Sequence, residues 1–110
     1  MIALGFDTSN YTTSAAAFDA GAGVIWQVKR PLPVKEGELG LRQSDALFAH
    51  IKRLPALADR LFAHLDTGDI AAIGVSTRPR AVEGSYMPCF LAGSSQATVL
   101  ARALGVPLYE

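Results

Sequence analysis

Apolar and polar positions divide the chain into stretches of two kinds, with periods near two and near 3.6 residues. Residues 1–7 form a short, mostly apolar run that predicts a strand. Thr8, Ser9 and Asn10 follow, and such side chains favour turns by bonding to nearby backbone. Residues 12–18 are β-branched and then small, which suits a second strand. Asp19-Ala20-Gly21-Ala22-Gly23 is a hairpin signal. Over residues 24–30, Val24, Trp26 and Val28 alternate with Ile25, Gln27 and Lys29, predicting a third strand. Three strands joined by tight turns make an antiparallel meander.

The period then changes. Residues 31–43 hold two prolines, two glycines and mixed charge, and read as a loop. Ser44 is the expected N-cap of a helix, with Asp45 in its first turn. Leu47, Ile51, Leu54, Ala58, Leu61 and Leu65 recur at spacings of four and three, as one helical stripe does. Pro55 lies inside that stripe and predicts a kink or restart. Gly68 lies just past its end. Residues 70–76 are almost continuously apolar, as buried parallel strands are. A loop over 77–88 leads to a small-residue-rich helix at 89–104, closed by Gly105, and to a last strand at 106–109. The order β-β-β-α-β-α-β predicts an α/β domain: a mixed five-stranded sheet of ribonuclease-H-like topology. Actin and the sugar kinases pair two such lobes around a nucleotide, so the expected unit is one actin-like ATPase lobe over residues 1–110.

Composition narrows the classes. Half of the 110 residues are hydrophobic and 18% are charged, enough apolar material for a core and too much for a disordered segment. Ten basic side chains balance ten acidic ones, so no global field draws the domain to nucleic acid or an anionic membrane. The single cysteine, Cys89, excludes a disulfide framework and a cysteine-based zinc site within one chain. Asp7 interrupts the apolar start before a signal peptide's core develops, and no run approaches the roughly 18 residues of a membrane span. A soluble, cytoplasmic protein with no membrane contact is expected.

Two segments carry candidate chemistry. Asp7-Thr8-Ser9-Asn10 ends the first strand. In a phosphotransfer fold its hydroxyls and amides would approach a terminal phosphate, and Asp7 would hold magnesium through water; an ordinary hairpin uses the same residue types. Arg78-Pro79-Arg80-Ala81-Val82-Glu83-Gly84-Ser85-Tyr86 follows a buried strand and precedes a helix. Ligands bind outside the carboxyl ends of such strands. Two arginines there suit phosphate or carboxylate, and Gly84-Ser85 allows close backbone approach. A solvated loop is the alternative.

The remaining polar residues point less sharply. His50 and His64 are fourteen residues apart on the long helix, about 21 Å along its axis, too far to share a metal. His50 reads as a solvated or capping histidine, and Cys89 as a small helix residue. Lys29, Arg30, Lys35, Arg42, Lys52 and Arg53 form a basic run that nucleic acid could use. Glu36, Glu38 and Asp45 are interleaved, so a solvated face is expected.

Ile2-Ala3-Leu4-Gly5-Phe6-Asp7-Thr8-Ser9 resembles the opening "LGIETS" of the tRNA threonylcarbamoyladenosine synthesis family, known by the older name O-sialoglycoprotein endopeptidases, peptidase family M22. The resemblance continues through His50 with Leu54-Pro55, through Ile70-Ala71-Ala72-Ile73-Gly74-Val75-Ser76, and through Ala103-Leu104-Gly105-Val106-Pro107-Leu108. Three segments, 7–14, 40–48 and 76–88, resemble a divergent bacterial branch with the same peptidase-style name. The resemblance implies an actin-like ATPase that binds ATP and a divalent metal and transfers a threonylcarbamoyl group from an adenylate to adenosine in tRNA. It aligns Asp7, Thr8 and Ser9 with the family's phosphate-proximal Glu-Thr-Ser, and Pro79 with the middle of a Gly-Pro-Gly loop. Gly84-Ser85-Tyr86 resembles a run in a non-catalytic partner branch.

The departures also matter. The family's Cys-Asp-Glu is Asn10-Tyr11-Thr12 here, and Arg78 and Arg80 replace both loop glycines. The family's His-x-x-x-His would fall just after Tyr109. The first expectation is therefore an N-terminal lobe, truncated before its last helix, that holds no metal ligands of its own and binds nucleotide weakly. A partner-binding, non-catalytic subunit and a metallopeptidase are the alternatives. A homodimer or a family partner subunit is expected, with tRNA only indirectly involved. Arg78 and Arg80 are expected to clamp an anion, with Glu83 pairing one of them when the site is empty.

Overall fold

A computed structural model describes residues 1–9, 11–32, 42–78 and 88–110. Its elements are β1 (Ile2–Asp7), β2 (Thr12–Asp19), β3 (Gly23–Pro31), α1 (Gln43–Phe62), β4 (Ile70–Val75), α2 (Phe90–Leu104) and β5 (Leu108–Tyr109). The sheet order is β3-β2-β1-β4-β5. The meander pairs antiparallel, while β4 joins β1 and β5 in parallel. This is the mixed five-stranded sheet the element order predicts.

Register fixes which face is buried. Leu4 lies opposite Ala17 on β2 and Ile73 on β4, and Ala15 lies opposite Val28. These residues form one core with Leu57 and Leu61 of α1 and Ala97 and Ala101 of α2. Both helices therefore cover the same face of the sheet. By the two-residue period of a strand, Ala3, Gly5 and Asp7 lie on the opposite face.

The second hairpin follows its sequence signal. Gly23 takes φ +86°, which favours glycine, and the Asp19 carboxylate accepts from the Gly21 amide at 2.8 Å. A bulge at Ala17/Phe18 brings Trp26 opposite Ala17 but Val24 opposite Phe18. At the other end of the chain α2 closes on Gly105 at φ +68°, with the Val106 amide donating to the Ala101 carbonyl at 3.0 Å.

Helix α1 departs from expectation in four ways. It starts at Gln43, so Ser44 lies inside it, and the N-cap position is Arg42, whose side chain caps nothing. It runs unbroken through Pro55. Pro55 and Ile51 are both exposed, so the carbonyl that proline leaves unpaired can turn to water. The helix ends at Phe62, before Leu65, and a 3-10 turn over Thr67–Asp69 leads into β4. Its buried stripe is Ala46, His50, Leu54, Leu57 and Leu61, rotated from the expected one, and Ile51 is left 47% exposed. Ile51, Pro55 and Val99 line an apolar groove of about 360 Å³ between α1 and α2. No helix among the described residues is long and apolar enough to cross a membrane.

Candidate functional site

β1 and β4 run in parallel and end side by side, with Phe6 opposite Val75 and the Ser76 amide continuing the ladder to the Phe6 carbonyl. The start of α2 lies against these ends. Carboxyl ends of adjacent parallel strands beside a helix N-terminus form a natural anion site. Asp7, Thr8 and Ser9 stand there, as the sequence places them. Asn10 of the same candidate set lies outside the described residues.

Each residue of the turn has a defined partner. Asp7 Oδ1 accepts from the Ser9 amide at 2.8 Å and from the Ser76 hydroxyl at 2.7 Å. Partial burial pushes the Asp7 carboxyl upward. Hydrogen bonds from the Ser9 side chain, Ser76 and the Ser9 amide, with a contribution from the His50 ring, outweigh that and hold it below the usual carboxylate range. The group is therefore a fixed anion at neutral pH.

Thr8 points the other way, into the protein, and is fully buried. Its hydroxyl donates to the Cys89 carbonyl at 2.9 Å and accepts from the Gly93 amide at 3.0 Å. Cys89 and Gly93 are the pair that close the first hydrogen bond of a helix capped at residue 89. One threonine hydroxyl thus bridges the first turn of α2. Gly93 makes the approach possible: a Cβ there would meet Thr8 Oγ1 at 3.0 Å and Cγ2 at 3.2 Å. An isolated glycine inside a helical pattern is the signal that could have found this position. The turn rests on a small apolar cluster of Leu32, Ala46, Cys89 and Phe90. The Gln43 side chain accepts from the Cys89 amide at 3.2 Å, tying the start of α1 to that of α2.

On the far side of the turn, Thr13 Oγ1 lies 2.7 Å from His50 Nδ1, and both residues are fully buried. This corrects the reading of His50 as a solvated or capping histidine. The helical face is set by its apolar neighbours, and His50 shares a face with Ala46, Leu54 and Leu57. Its ring has a polar partner, as a buried imidazole requires. His64 is exposed and stacks on Trp26, with centroids 5.4 Å apart. Cys89 is a buried free thiol at the cap of α2. Of the second candidate segment, Arg78 is exposed just after β4. Pro79, Arg80, Glu83, Gly84, Ser85 and Tyr86 lie outside the described residues, and so does the expected pairing of Glu83 with an arginine.

Comparison with known proteins agrees with this arrangement. The chain is 32% identical over 108 residues, 98% of its length, to the tRNA N6-adenosine threonylcarbamoyltransferase of Archaeoglobus fulgidus. Over that shared length the chain is similar to a member of the tRNA threonylcarbamoyladenosine synthesis family. It spans about a third (31%) of that relative's length. No family model matches it. Among solved structures, YeaZ from Pseudomonas aeruginosa superposes with a TM-score of 0.67 at 20% identity, covering 98% of this chain and 41% of that one. RuvC of T. thermophilus, in complex with a Holliday junction substrate, gives 0.52 at 13% identity, covering 99% of this chain and 62% of that one. These likenesses establish the fold, a mixed α/β lobe of ribonuclease-H-like topology.

Proposed function

We propose that this chain supplies one wall of a nucleotide cleft in a cytoplasmic, threonylcarbamoyl-transferring protein, with Asp7 and Ser9 at the phosphates and the buried Thr8 hydroxyl holding their turn to α2. One observation carries the reading. Asp7 is held ionised by Ser9 and Ser76 at the joint ends of β1 and β4, beside the start of α2. Such a site offers amide and hydroxyl donors to phosphate oxygens and one carboxylate to a cation that accompanies them. The Archaeoglobus fulgidus relative, named for transfer of the threonylcarbamoyl group to adenosine in tRNA, supports the assignment of the reaction.

The donor set fits magnesium. Asp7 brings one carboxylate, and Ser9 and Ser76 bring hydroxyls beside it. Among the described residues no group of three or more His, Cys, Asp or Glu side chains is placed to hold an ion. A hard cation that keeps most of its waters and bridges to substrate phosphates needs no more than this from the protein. Asp7 and the Ser9 hydroxyl would hold it, and it would neutralise phosphate charge.

Amide chemical shifts of the labelled chain, followed during addition of magnesium-ATP, test the reading. The expected result is weak, roughly millimolar binding, because one wall of a cleft supplies a minority of the donors. The largest shifts should fall on Asp7, Thr8, Ser9, Ser76 and Gly93, and Asp7→Ala should remove them. Shifts centred elsewhere would overturn the site. Micromolar affinity for this chain alone would overturn the one-wall reading.

A further inference from the structure

The face that α1 buries is Ala46, His50, Leu54, Leu57 and Leu61. Four of the five are apolar, and His50 is the exception, fully buried among them. Burying an imidazole gives up hydration that a leucine in its place would not lose. Its Nδ1 lies 2.7 Å from Thr13 Oγ1, and Thr13 is fully buried as well. Replacing both members of such a pair by apolar groups of like shape is close to neutral for stability. Core packing therefore gives no reason for this pair, and its place in the sheet does.

Thr13 is the second residue of β2, and its neighbour Ser14 lies opposite Asp7 on β1. Successive side chains of a strand leave opposite faces. Thr13 reaches down to α1 while Ser14 stays on the face of Asp7. The bond to His50 thus anchors the stretch of β2 that pairs with Asp7, from the side away from the site. Thr8 fixes the β1 end of the same turn on α2, and Thr13 fixes its β2 end on α1. The His50 ring is also near enough to Asp7 to help hold that carboxyl in its charged form, after the larger effects of Ser9 and Ser76.

We propose that His50 is a positioning residue of the candidate nucleotide site: acting through Thr13, it fixes the start of β2 and with it the geometry of the Asp7–Ser9 turn. What the turn then meets, a phosphate with its cation, rests on the nucleotide reading. The positioning itself does not, and it can be measured on the chain without ligand.

The Ser9 amide donates to Asp7 Oδ1 at 2.8 Å, so its hydrogen exchange reports on the turn. Two variants of the full chain separate positioning from packing. Thr13→Val with His50→Leu keeps the packing and removes the polar pair. Thr13→Ser keeps the hydroxyl and loses a buried methyl. The double variant is expected to hold the wild-type urea midpoint and to exchange the Ser9 amide about tenfold faster, the worth of one hydrogen bond. Thr13→Ser is expected to unfold at lower urea and to exchange Ser9 as the wild type does. On addition of magnesium-ATP, the initial slope of the Ser9 shift should fall about tenfold in the double variant and be kept in Thr13→Ser. Wild-type Ser9 exchange in a folded double variant would overturn the positioning role, whatever nucleotide does. Should the double variant not fold, Thr13→Ser decides, and faster Ser9 exchange despite its hydroxyl would overturn the proposal equally. Exchange that responds as expected, in a chain whose Asp7 and Ser9 ignore magnesium-ATP, would bring down the nucleotide reading alone and leave His50 its role in the turn.

Discussion

Thr8 and Thr13 flank the same turn, both are fully buried, and they are held in different ways. Thr8 bonds only to backbone, bridging the Cys89 carbonyl and the Gly93 amide of α2. Thr13 bonds to a side chain, His50 of α1. The first arrangement needs no particular partner residue, only the missing Cβ at position 93. The second needs a specific ring in a specific tautomer, but no unusual backbone. The turn is thus pinned to both helices by hydroxyls. One pin is set by close packing and the other by side-chain chemistry. The two should respond to different substitutions.

The largest effect is expected from filling the space at position 93. In Gly93→Val the new side chain meets Thr8 Oγ1, Thr8 Cγ2 and Val75, none of which is a free chain end. Overpacking of this kind costs about 1–3 kcal/mol, and displacing the Thr8 hydroxyl adds the loss of its bonds. A loss of about 3 kcal/mol or more in urea unfolding is expected. Near-neutral Gly93→Val would mean that α2 slides freely over the turn, and the bridging role of Thr8 would fall with it.

Removing the hydroxyls compares the two pins directly. Thr8→Val keeps the shape and leaves a buried amide and carbonyl to find each other across the space the hydroxyl occupied. A cost of about 2 kcal/mol is expected. Thr13→Val leaves one ring nitrogen without this partner, for about 1 kcal/mol. Equal losses in urea unfolding, or a larger loss at Thr13, would reverse the ranking of the pins. The double variant should be additive, since the two bonds share no atom and lie on different helices.

How much of this could be read from the chain follows the same division. The strands, their order and the Asp7–Ser9 turn were legible, because period and turn chemistry are local. Gly105 announced the end of α2, since a glycine past a helical stretch takes the left-handed region cheaply. The tightness at Gly93 was not legible. It depends on where β1 ends relative to α2, some eighty residues later, and nothing local sets that. His50 was misread for a related reason. The apolar stripe over 47–65 fits two helical phases one residue apart, and only packing against β2 selects the phase that buries position 50. Pro55 taught the opposite lesson: the helix runs on through the position where a kink or restart is expected, on an exposed side where the carbonyl that proline frees can turn to water.

The smallest expected effect separates charge from packing at the head of the turn. Asp7 is only partly buried, so solvent screens much of what its bonds contribute. Its folded carboxyl titrates below the ordinary value of about 3.9, because the hydrogen bonds from Ser9 and Ser76 favour the anion over burial's opposite pull. The sign follows from linkage. Above the unfolded-state value both states are ionised and the contribution is fully present. As the pH falls through that value, the unfolded chain takes up a proton before the folded one, and the contribution declines until it is gone below the folded value. Asp7→Asn preserves an acceptor for the Ser9 amide and the Ser76 hydroxyl but cannot ionise. The difference in unfolding free energy between wild type and Asp7→Asn should therefore be constant from pH 7 to about pH 5. It should then shift against the wild type as the pH falls below about 4, through the unfolded-state value. Thr8→Val should leave that pH-dependent difference unchanged, since it removes no hydrogen bond to the carboxylate and does not touch the His50 ring. A difference that stays flat through the acid range would show that the Ser76 and Ser9 bonds do not discriminate the anion from the acid. Asp7 would then be a packing residue of the turn, without the fixed charge that the nucleotide reading requires.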